Sequence, residues 1–373
     1  MSTPSQGKEN RGSEPRKERH LAICTDPSRF SIEGAGAGFE GVRFVHNALP
    51  ELAQSELDTS VEFLDRTVRL PFLISCMTGG SEGGFRANQD LARAAEELGI
   101  PVGLGSVRVL LENPDLFPQF NVKPLAPSVP VLANIGAVQL RDRDREPLYE
   151  LLRRLEAQAL VVHLNPGQEL FQPEGDRDFR GVKVAVARAC EESPVPVIVK
   201  ETGFGIAPSL ARELLDAGAS YVDLAGAGGT NWITVESYRL QGREKETASV
   251  FAEWGIPTAV LLASFGGGQD RLIASGGIRT GVDAAKALAL GAELAGFALP
   301  VIREVVAGGA DAVVSLFRSL ERSLRAAMLL TGSRDIAALR RGTTWHEPGF
   351  AASVDAFLRA ETASRSPGEA RRG

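Results

Sequence analysis

The stretch that decides the fold is ALVVHLNPGQE, residues 159–169. It begins as a short apolar run without a helical period, which predicts a buried strand, and it ends in a loop with His, Asn, Gln and Glu. Buried polar groups without partners cost about 1–3 kcal/mol each, so a cluster of them at a strand end indicates a binding site. Active sites of parallel barrels lie at this end of the strands, so the stretch predicts one barrel strand with its functional loop.

Apolar runs alternate with amphipathic segments on both sides of this stretch. The predicted strands cover residues 72–76, 102–104, 131–134, 159–163, 197–200, 221–225, 272–274 and 294–298. The predicted helices cover residues 89–98, 147–157, 182–192, 209–217, 284–290 and 310–330. Eight strand–helix units in succession favour an α/β fold with a closed parallel sheet, the (β/α)8 TIM barrel, over an open doubly wound sheet.

The length of 373 residues, 43% of them hydrophobic, suits one large barrel domain. Residues 1–15 are rich in Ser, Pro, Gly and charge, and we expect them to be disordered. We expect residues 16–335 to form a single TIM-barrel domain with an N-terminal flap. Residues 336–373 are predicted to be a C-terminal helical extension that is partly flexible.

Composition excludes several classes of function. The net charge of −6 and the lack of a long basic run predict that the protein does not bind nucleic acid. No apolar run is long enough to cross a membrane, and no secretory leader is recognisable, so we expect no membrane association. Three widely spaced cysteines without metal-ligand spacing indicate a reducing compartment. We therefore expect a cytoplasmic protein.

The ends of the predicted strands carry polar or glycine-rich groups. Gly276 and Gly277 follow the seventh strand and precede a helix, an arrangement that lets backbone N–H groups and the helix N-terminus bind a phosphate. A tight turn alone would explain the glycines but not Arg279 beside them. Lys200 ends the fifth strand, where it could form a Schiff base, pair with a carboxylate or stabilise an anion. Glu201 should point the other way, which makes it a poor partner for Lys200.

Two N-terminal segments have competing interpretations. The cationic run RKERH, residues 16–20, is by itself most simply a solvated charged face. The run GAGAG, residues 34–38, resembles a dinucleotide-binding fingerprint but has neither a strand before it nor a helix after it, so we reject that interpretation.

Several longer motifs lie along the chain: RKxxH at residues 16–20, RFVHNALP at 43–50, MTGG at 77–80, HLNPxQE at 163–169, QPEGD at 172–176, GAGGTNW at 226–232 and ASGGIRTG at 274–281. Taken together, these motifs resemble the type II isopentenyl-diphosphate isomerases. The likeness runs in unbroken order over residues 16–335. It implies an FMN-binding barrel that isomerises isopentenyl diphosphate to dimethylallyl diphosphate with reduced FMN and Mg²⁺, and that uses NADPH only to reduce the flavin. It also implies a homotetramer or homo-octamer.

The resemblance also implies roles for individual residues. Substrate would be bound by Arg16, Lys17, Ser106, Arg108 and Gln168, which turns the cationic run into a flap over the site. Mg²⁺ would be bound by Glu169. FMN would be contacted by Met77, Thr78, Gly79, Ser106, Asn134, Lys200, Thr230, Gly276, Gly277, Arg279, Ala298 and Leu299. The catalytic residues would be His163, Gln168 and Trp232.

Isomerisation requires one proton to be added to the allyl unit and another to be removed. Ordinary side-chain acids are poorly matched to an alkene, so we hypothesise that the reduced flavin is the acid–base catalyst. His163 and Gln168 would then orient it, and Trp232 would offer a π face to the developing cation. Pattern alone would equally allow His163 to be a structural histidine.

Two alternatives remain open at this point. Another FMN barrel enzyme, such as a 2-hydroxy-acid oxidase or a dihydroorotate-type dehydrogenase, would share the phosphate site and Lys200. It would not require the basic run at residues 16–17 or the pair Gln168 and Glu169. The other alternative is a catalytically silent paralogue that binds flavin.

Overall fold

The structure, a computed structural model, describes residues 13–34, 36–77, 79–266 and 271–369. Residues 1–12 of the predicted disordered tail and the predicted FMN ligand Thr78 lie outside the described residues. Four elements precede the barrel: α1 (Ser13–Thr25), β1 (Val42–Phe44), β2 (Val61–Phe63) and β3 (Arg66–Val68). Helix α1 therefore begins inside the segment for which disorder was expected.

The central element is a closed barrel of eight parallel strands, as the sequence predicted. These are β4 (Phe72–Ile74), β5 (Val102–Ser106), β6 (Val131–Gly136), β7 (Ala159–Leu164), β8 (Val197–Glu201), β9 (Tyr221–Asp223), β10 (Leu272–Ala274) and β11 (Leu294–Phe297). Each strand pairs with the next, and β11 pairs with β4 to close the ring. The strands are almost entirely buried, which explains why they appear in the sequence as apolar runs without alternation.

Helices surround the barrel and decorate its carboxyl end. They are α2 (Glu82–Leu98), α3 (Arg108–Glu112), α4 (Phe117–Phe120), α5 (Ala137–Asp142), α6 (Glu146–Arg154), α7 (Pro166–Phe171), α8 (Val182–Glu192), α9 (Pro208–Asp216), α10 (Trp232–Ser237), α11 (Gly242–Ser249), α12 (Thr258–Ala263), α13 (Gly281–Ala289), α14 (Leu299–Thr331), α15 (Ile336–Arg341) and α16 (Pro348–Glu369). No helix in the described part of the chain is both long enough and apolar enough to cross a membrane.

Helices α2 and α14 begin well before the residues that the sequence predicted. Helix α2 begins at Glu82 because the Ser81 hydroxyl caps it by accepting a hydrogen bond from the backbone N–H of Gly84. Helix α14 begins at Leu299 and kinks at Gly308 and Gly309, where the latter has φ of 64°. This kink interrupts the apolar period, so the sequence predicted only the second half of the helix.

The hairpin β2–β3 closes the amino-terminal end of the barrel, because Phe63 and Val68 pack on interior residues such as Leu132 and Ile273. A second small sheet pairs a segment that precedes the barrel strands with one that follows them: β1 is antiparallel to β12 (Thr344–His346). The last helix, α16, extends to Glu369 and lies within the predicted C-terminal extension.

Candidate active site

A cavity of about 360 Å³ opens at the carboxyl ends of the barrel strands. This volume lies within the range of about 300–1,000 Å³ typical of ligand pockets. Its walls include every described member of the predicted site: Arg16, Lys17, Met77, Gly79, Ser106, Arg108, Asn134, His163, Gln168, Glu169, Lys200, Thr230, Trp232, Gly276, Gly277, Arg279, Ala298 and Leu299. The fold thus brings together residues that are distant in sequence, while their individual roles remain predictions.

Helix α1 forms one wall of this cavity, so its basic residues are not merely a solvated face. Lys17 Nζ donates a hydrogen bond of 2.6 Å to the backbone oxygen of Gly79. Arg16 Nη1 lies 3.5 Å from Glu174 Oε1. Burial, together with the charges of Arg16 and Arg108, lowers the pKa of Lys17 to about 8. The side chains of Arg16, Lys17 and Arg108, which we call the cationic wall, therefore converge with too few carboxylates beside them to balance their charge. This arrangement is suited to binding a multiply charged anion.

His163 is the penultimate residue of β7 and lines the cavity at the level of Lys200, its partner in register on β8. Its Nδ1 lies 2.9 Å from Asn134 Oδ1. Burial, with the charges of Lys200 and Arg108, lowers the pKa of His163 to about 3. The imidazole is therefore neutral at physiological pH, and with Nδ1–H donated to Asn134 its Nε2 is an acceptor.

Lys200 lies in register with Asp223 on β9, and the Asp223 carboxylate accepts a hydrogen bond of 2.6 Å from Ser275 Oγ. The carboxylate of Glu201 points away from Lys200, as predicted, and accepts hydrogen bonds from the backbone N–H groups of Gly203 and Phe204. Burial raises the pKa of Glu201. Glu201 thus anchors the loop after β8, while Lys200 lines the cavity and its Nζ donates to the backbone oxygen of Glu201.

Glu169 is buried on α7 and is oriented by two donors. Asn165 Nδ2 donates to Oε1 at 3.0 Å, and the backbone N–H of Asp176 donates to Oε2 at 2.9 Å. Across the described ranges, no three His, Cys, Asp or Glu side chains are arranged to hold a metal ion. Magnesium typically uses only one or two carboxylates and completes its shell with phosphate and water, so a single oriented carboxylate near the cationic wall fits it.

A network around Glu236 was missed by sequence reasoning. Glu236 is fully buried on α10; its Oε1 lies 2.9 Å from His20 Nε2 and 3.4 Å from Gln168 Nε2, and its Oε2 accepts from Arg239 Nη1. Burial would raise the pKa of Glu236, but His20 and Arg239 outweigh burial and lower it. The only signal in the sequence was a carboxylate one helical turn after Trp232, and His20 does contact the Trp232 ring edge-on.

Four glycines from the loops after β9 and β10 interlock beside the cavity. Gly276 and Gly277 have φ of 96° and 76°, conformations that favour glycine. A Cβ on Gly277 would lie 2.6 Å from the carbonyl carbon of Gly228, and a Cβ on Gly229 would lie 2.8 Å from the backbone nitrogen of Gly277. Only bare backbone fits here, which is the geometry of a phosphate cradle.

The helix expected to assist this cradle is already capped. Thr280 and Asp283 form a capping box at the start of α13, and Asp283 also accepts from the backbone N–H of Arg279. Helix α14, in contrast, begins at the cavity wall after Ala298 without a side-chain cap. The N-terminus of α14, rather than that of α13, is therefore the helix end available to an anion.

Arg279 is held by a carboxylate that sequence reasoning did not connect with it. Its Nε and Nη2 both donate to Oε1 of Glu33, and its Nη1 donates to the backbone oxygen of Ile278. Glu33 belongs to the strap, which we define as residues 32–34 and 36–41. The strap runs beside the glycine loops: the backbone N–H of Gly34 donates to the Gly229 oxygen, and Glu33 forms an isolated β-bridge with Thr230.

Three buried polar atoms in the cavity wall have no partner in the described part of the protein: Arg16 Nε, Ser75 Oγ and Thr202 Oγ1. Buried polar groups are normally satisfied, so these atoms indicate that a polar ligand completes the site.

Comparison with known sequences gives two kinds of match. The FMN-dependent dehydrogenase family matches residues 28–112 and 168–346. The isopentenyl-diphosphate delta-isomerase of Borreliella afzelii (strain PKo) is 43% identical over 328 residues, covering 87% of this chain and 91% of the relative. The proteins of that name from Pseudescherichia vulneris and Halobacterium salinarum are 45% and 44% identical, over 87% and 88% of this chain and 95% and 92% of theirs.

Solved structures show the same fold at lower sequence identity. A mandelate oxidase variant with an FMN adduct superposes with a TM-score of 0.58 at 22% identity, covering 88% of this chain and 92% of the other. A lactate oxidase from Pediococcus acidilactici superposes with a TM-score of 0.62 at 17% identity, covering 92% and 96%. At such identities the likeness establishes the barrel fold and nothing finer.

Proposed function

Because the chain belongs to the isopentenyl-diphosphate delta-isomerase family, with an FMN-dependent dehydrogenase barrel, we propose that it isomerises isopentenyl diphosphate to dimethylallyl diphosphate. The observation that carries the proposal is the single cavity lined by every described residue of the predicted site. The basic residues Arg16, Lys17 and Arg108 and the cradle glycines Gly276 and Gly277 all line that cavity. One site thus offers room for a cofactor and for a diphosphate substrate.

The residues present fit FMN at the cradle end. Gly276, Gly277 and the N-terminus of α14 would hold the phosphate, with Arg279 beside them. Asn134 and Lys200 would contact the ring, where an ammonium group stabilises negative charge on the pyrimidine edge. Reduced FMN supplies an acidic proton and an electron-rich face, which suit the protonation of an alkene.

The α1 end fits a diphosphate. Arg16, Lys17 and Arg108 would bind its oxygens, because guanidinium and ammonium groups form charge-assisted bonds about twice as strong as neutral ones. Glu169 would hold Mg²⁺ against the same oxygens. Helix α1 also covers the mouth and would exclude water from the reacting carbons.

Three side chains would act on the isoprene carbons. Gln168 is oriented by its contact with Glu236 at 3.4 Å, so its amide would position the substrate. His163 is neutral and therefore would orient ligands through Nε2 rather than donate a proton as an imidazolium. The Trp232 ring would stabilise positive charge that develops on the substrate.

The rival FMN oxidoreductases are supported less well. They share the fold, but the matches to oxidases are at 17–22% identity, whereas the isomerase relatives are at 41–45%. The cationic wall and the Gln168–Glu169 pair are also present in the cavity, and an oxidase of small hydroxy acids does not require either.

The three cysteines are free, which agrees with a reducing compartment. We propose a cytoplasmic homo-oligomer that uses NADPH to reduce the flavin.

The test is anaerobic conversion of isopentenyl diphosphate, with FMN, Mg²⁺ and NADPH omitted in turn. We expect product only when the flavin has been reduced and Mg²⁺ is present, and chemically reduced FMN should replace NADPH. The variant Glu169→Gln should require more Mg²⁺, while Glu191→Gln, a carboxylate on the outer helix α8, should behave as wild type. An oxidised flavin that is bleached by the substrate itself would instead identify an oxidase.

A further inference from the structure

The strap carries a carboxylate that the proposed function does not use. Glu33 Oε1 accepts from Nε of Arg279 at 3.1 Å and from its Nη2, and Glu33 Oε2 lies 3.4 Å from Nη1 of Arg303 on α14. Arg303 in turn donates to the backbone oxygen of Cys24 at the end of α1. Glu33 is therefore the counter-ion shared by two arginines on the loop and helix that follow the last two barrel strands.

Glu33 occupies the Nε–Nη2 edge of Arg279, and Nη1 donates to the Ile278 carbonyl. A phosphate cannot form a forked contact with this Nε–Nη2 edge until the carboxylate leaves. The side chains of Glu33 and Arg279 are 37% and 34% exposed, so the pair is open to exchange with a soluble anion.

The position of the strap couples this exchange to the cradle. The Ala37 Cβ would lie only 2.7 Å from a Cβ placed on Gly277, and the backbone oxygen of Ala37 accepts from the N–H of Ala259. Glu33 itself is bridged to Thr230. Hence the residue that neutralises Arg279 sits on the segment that forms the outer wall of the glycine loops.

We propose that Glu33, the resident counter-ion of Arg279 and Arg303, competes with the phosphate of a flavin mononucleotide for Arg279, and so limits the affinity of the site for the phosphorylated cofactor. This inference rests on the proposed function. Glu33 must give up its contact with Arg279 when the phosphate arrives, and its charge then repels the phosphate dianion. The same carboxylate keeps the two arginines from repelling each other in the free protein.

The test compares FMN with riboflavin, which lacks the phosphate, on the full-length apoprotein of the wild type and of Glu33→Gln. Quenching of flavin fluorescence gives both affinities. We expect Glu33→Gln to bind FMN roughly three- to tenfold more tightly, as befits a partly exposed ion pair, and to bind riboflavin unchanged. Its FMN affinity should also fall more steeply with salt, because the site gains one net positive charge. Glu40→Gln, an exposed carboxylate on the same strap, is the matched control.

The outcomes separate the two levels of the proposal. Weaker binding of both flavins by Glu33→Gln would show that Glu33 only holds the strap in place, and this would overturn the inference. Equal FMN affinity of the two proteins would overturn it as well. A wild-type protein that binds neither flavin would overturn the proposed function and this inference with it.

Discussion

Lys17 is the residue whose ionisation should be most visible in solution. Its pKa of about 8 means that the ammonium form, which would bind the proposed diphosphate, is lost as the pH rises through 8. Affinity for inorganic diphosphate should then weaken by up to about tenfold per pH unit above pH 8. Lys17→Arg keeps its charge and reports the ionisation of the ligand alone. Titration calorimetry from pH 6.5 to 9.5 compares the two, and parallel curves would contradict the assignment.

His163 should make the fold sensitive to mild acid. Its pKa is about 3 in the folded chain and about 6.5 when unfolded, so between these values only the unfolded state takes up the proton. Stability is therefore unaffected above pH 6.5 and falls below it, by about 2 kcal/mol at pH 5. Urea unfolding at pH 7 and pH 5 should show this loss in wild type and not in His163→Gln. His46→Gln, at an exposed position, is the control for removing a histidine.

Among the elements, helix α1 depends on buried charge for its position over the cavity. Glu236 is fully buried and contacts His20 of α1 as well as Arg239. Glu236→Gln removes the buried carboxylate that contacts both Arg239 and the His20 imidazole, and breaking a buried pair costs about 3–5 kcal/mol. Limited trypsin digestion should therefore cut within α1 at least about tenfold faster, with the barrel intact. Glu18→Gln, exposed on the same helix, should not change the rate; equal rates for all three proteins would refute the coupling.

The barrel strands could be predicted from sequence because each is a short apolar run buried on both sides. Helix starts were harder: glycines in the first turn of α2 resemble a break, and the kink at Gly309 hides the first half of α14. The strands β1 and β12 went unpredicted because three residues give too short a pattern and their pairing joins Val42 to His346 across the whole chain. Local periodicity carries no information about such contacts.

At the scale of the whole molecule, the C-terminal helix α16 supports the strap from outside. Phe350 is buried, and a Cβ on Gly41 would lie 2.5 Å from its own Cβ. Phe350→Ala should cost about 3 kcal/mol and lower the melting temperature. It should also weaken FMN binding, because the strap borders the cradle. Phe357→Ala, half-buried on the same helix, should cost less on both measurements, and an unaltered FMN affinity in Phe350→Ala would contradict the mechanical link.

The site could be predicted only where one residue type suffices for the chemistry. Cationic residues, the strand-end His163 and the paired glycines were recognisable because they are unusual in their local sequence. Glu33 and Glu236 were not, because an acidic residue in a loop or helix is unremarkable until the fold places it against Arg279 or His20. Partners of functional groups are a property of the tertiary structure.

The interlocked glycines have a consequence for how this protein can change. A methyl group on Gly277 would meet the backbone of Gly228, one on Gly229 would meet the backbone of Gly277, and one on Gly228 would meet the backbone of Ala37 in the strap. A larger residue at one of these positions cannot be accommodated by shortening a neighbouring side chain, because backbone atoms are in the way. Single substitutions within these glycine loops would therefore clash with neighbouring backbone. Substitutions that change ligand preference are expected instead on α1, α7 and α10, whose side chains line the cavity.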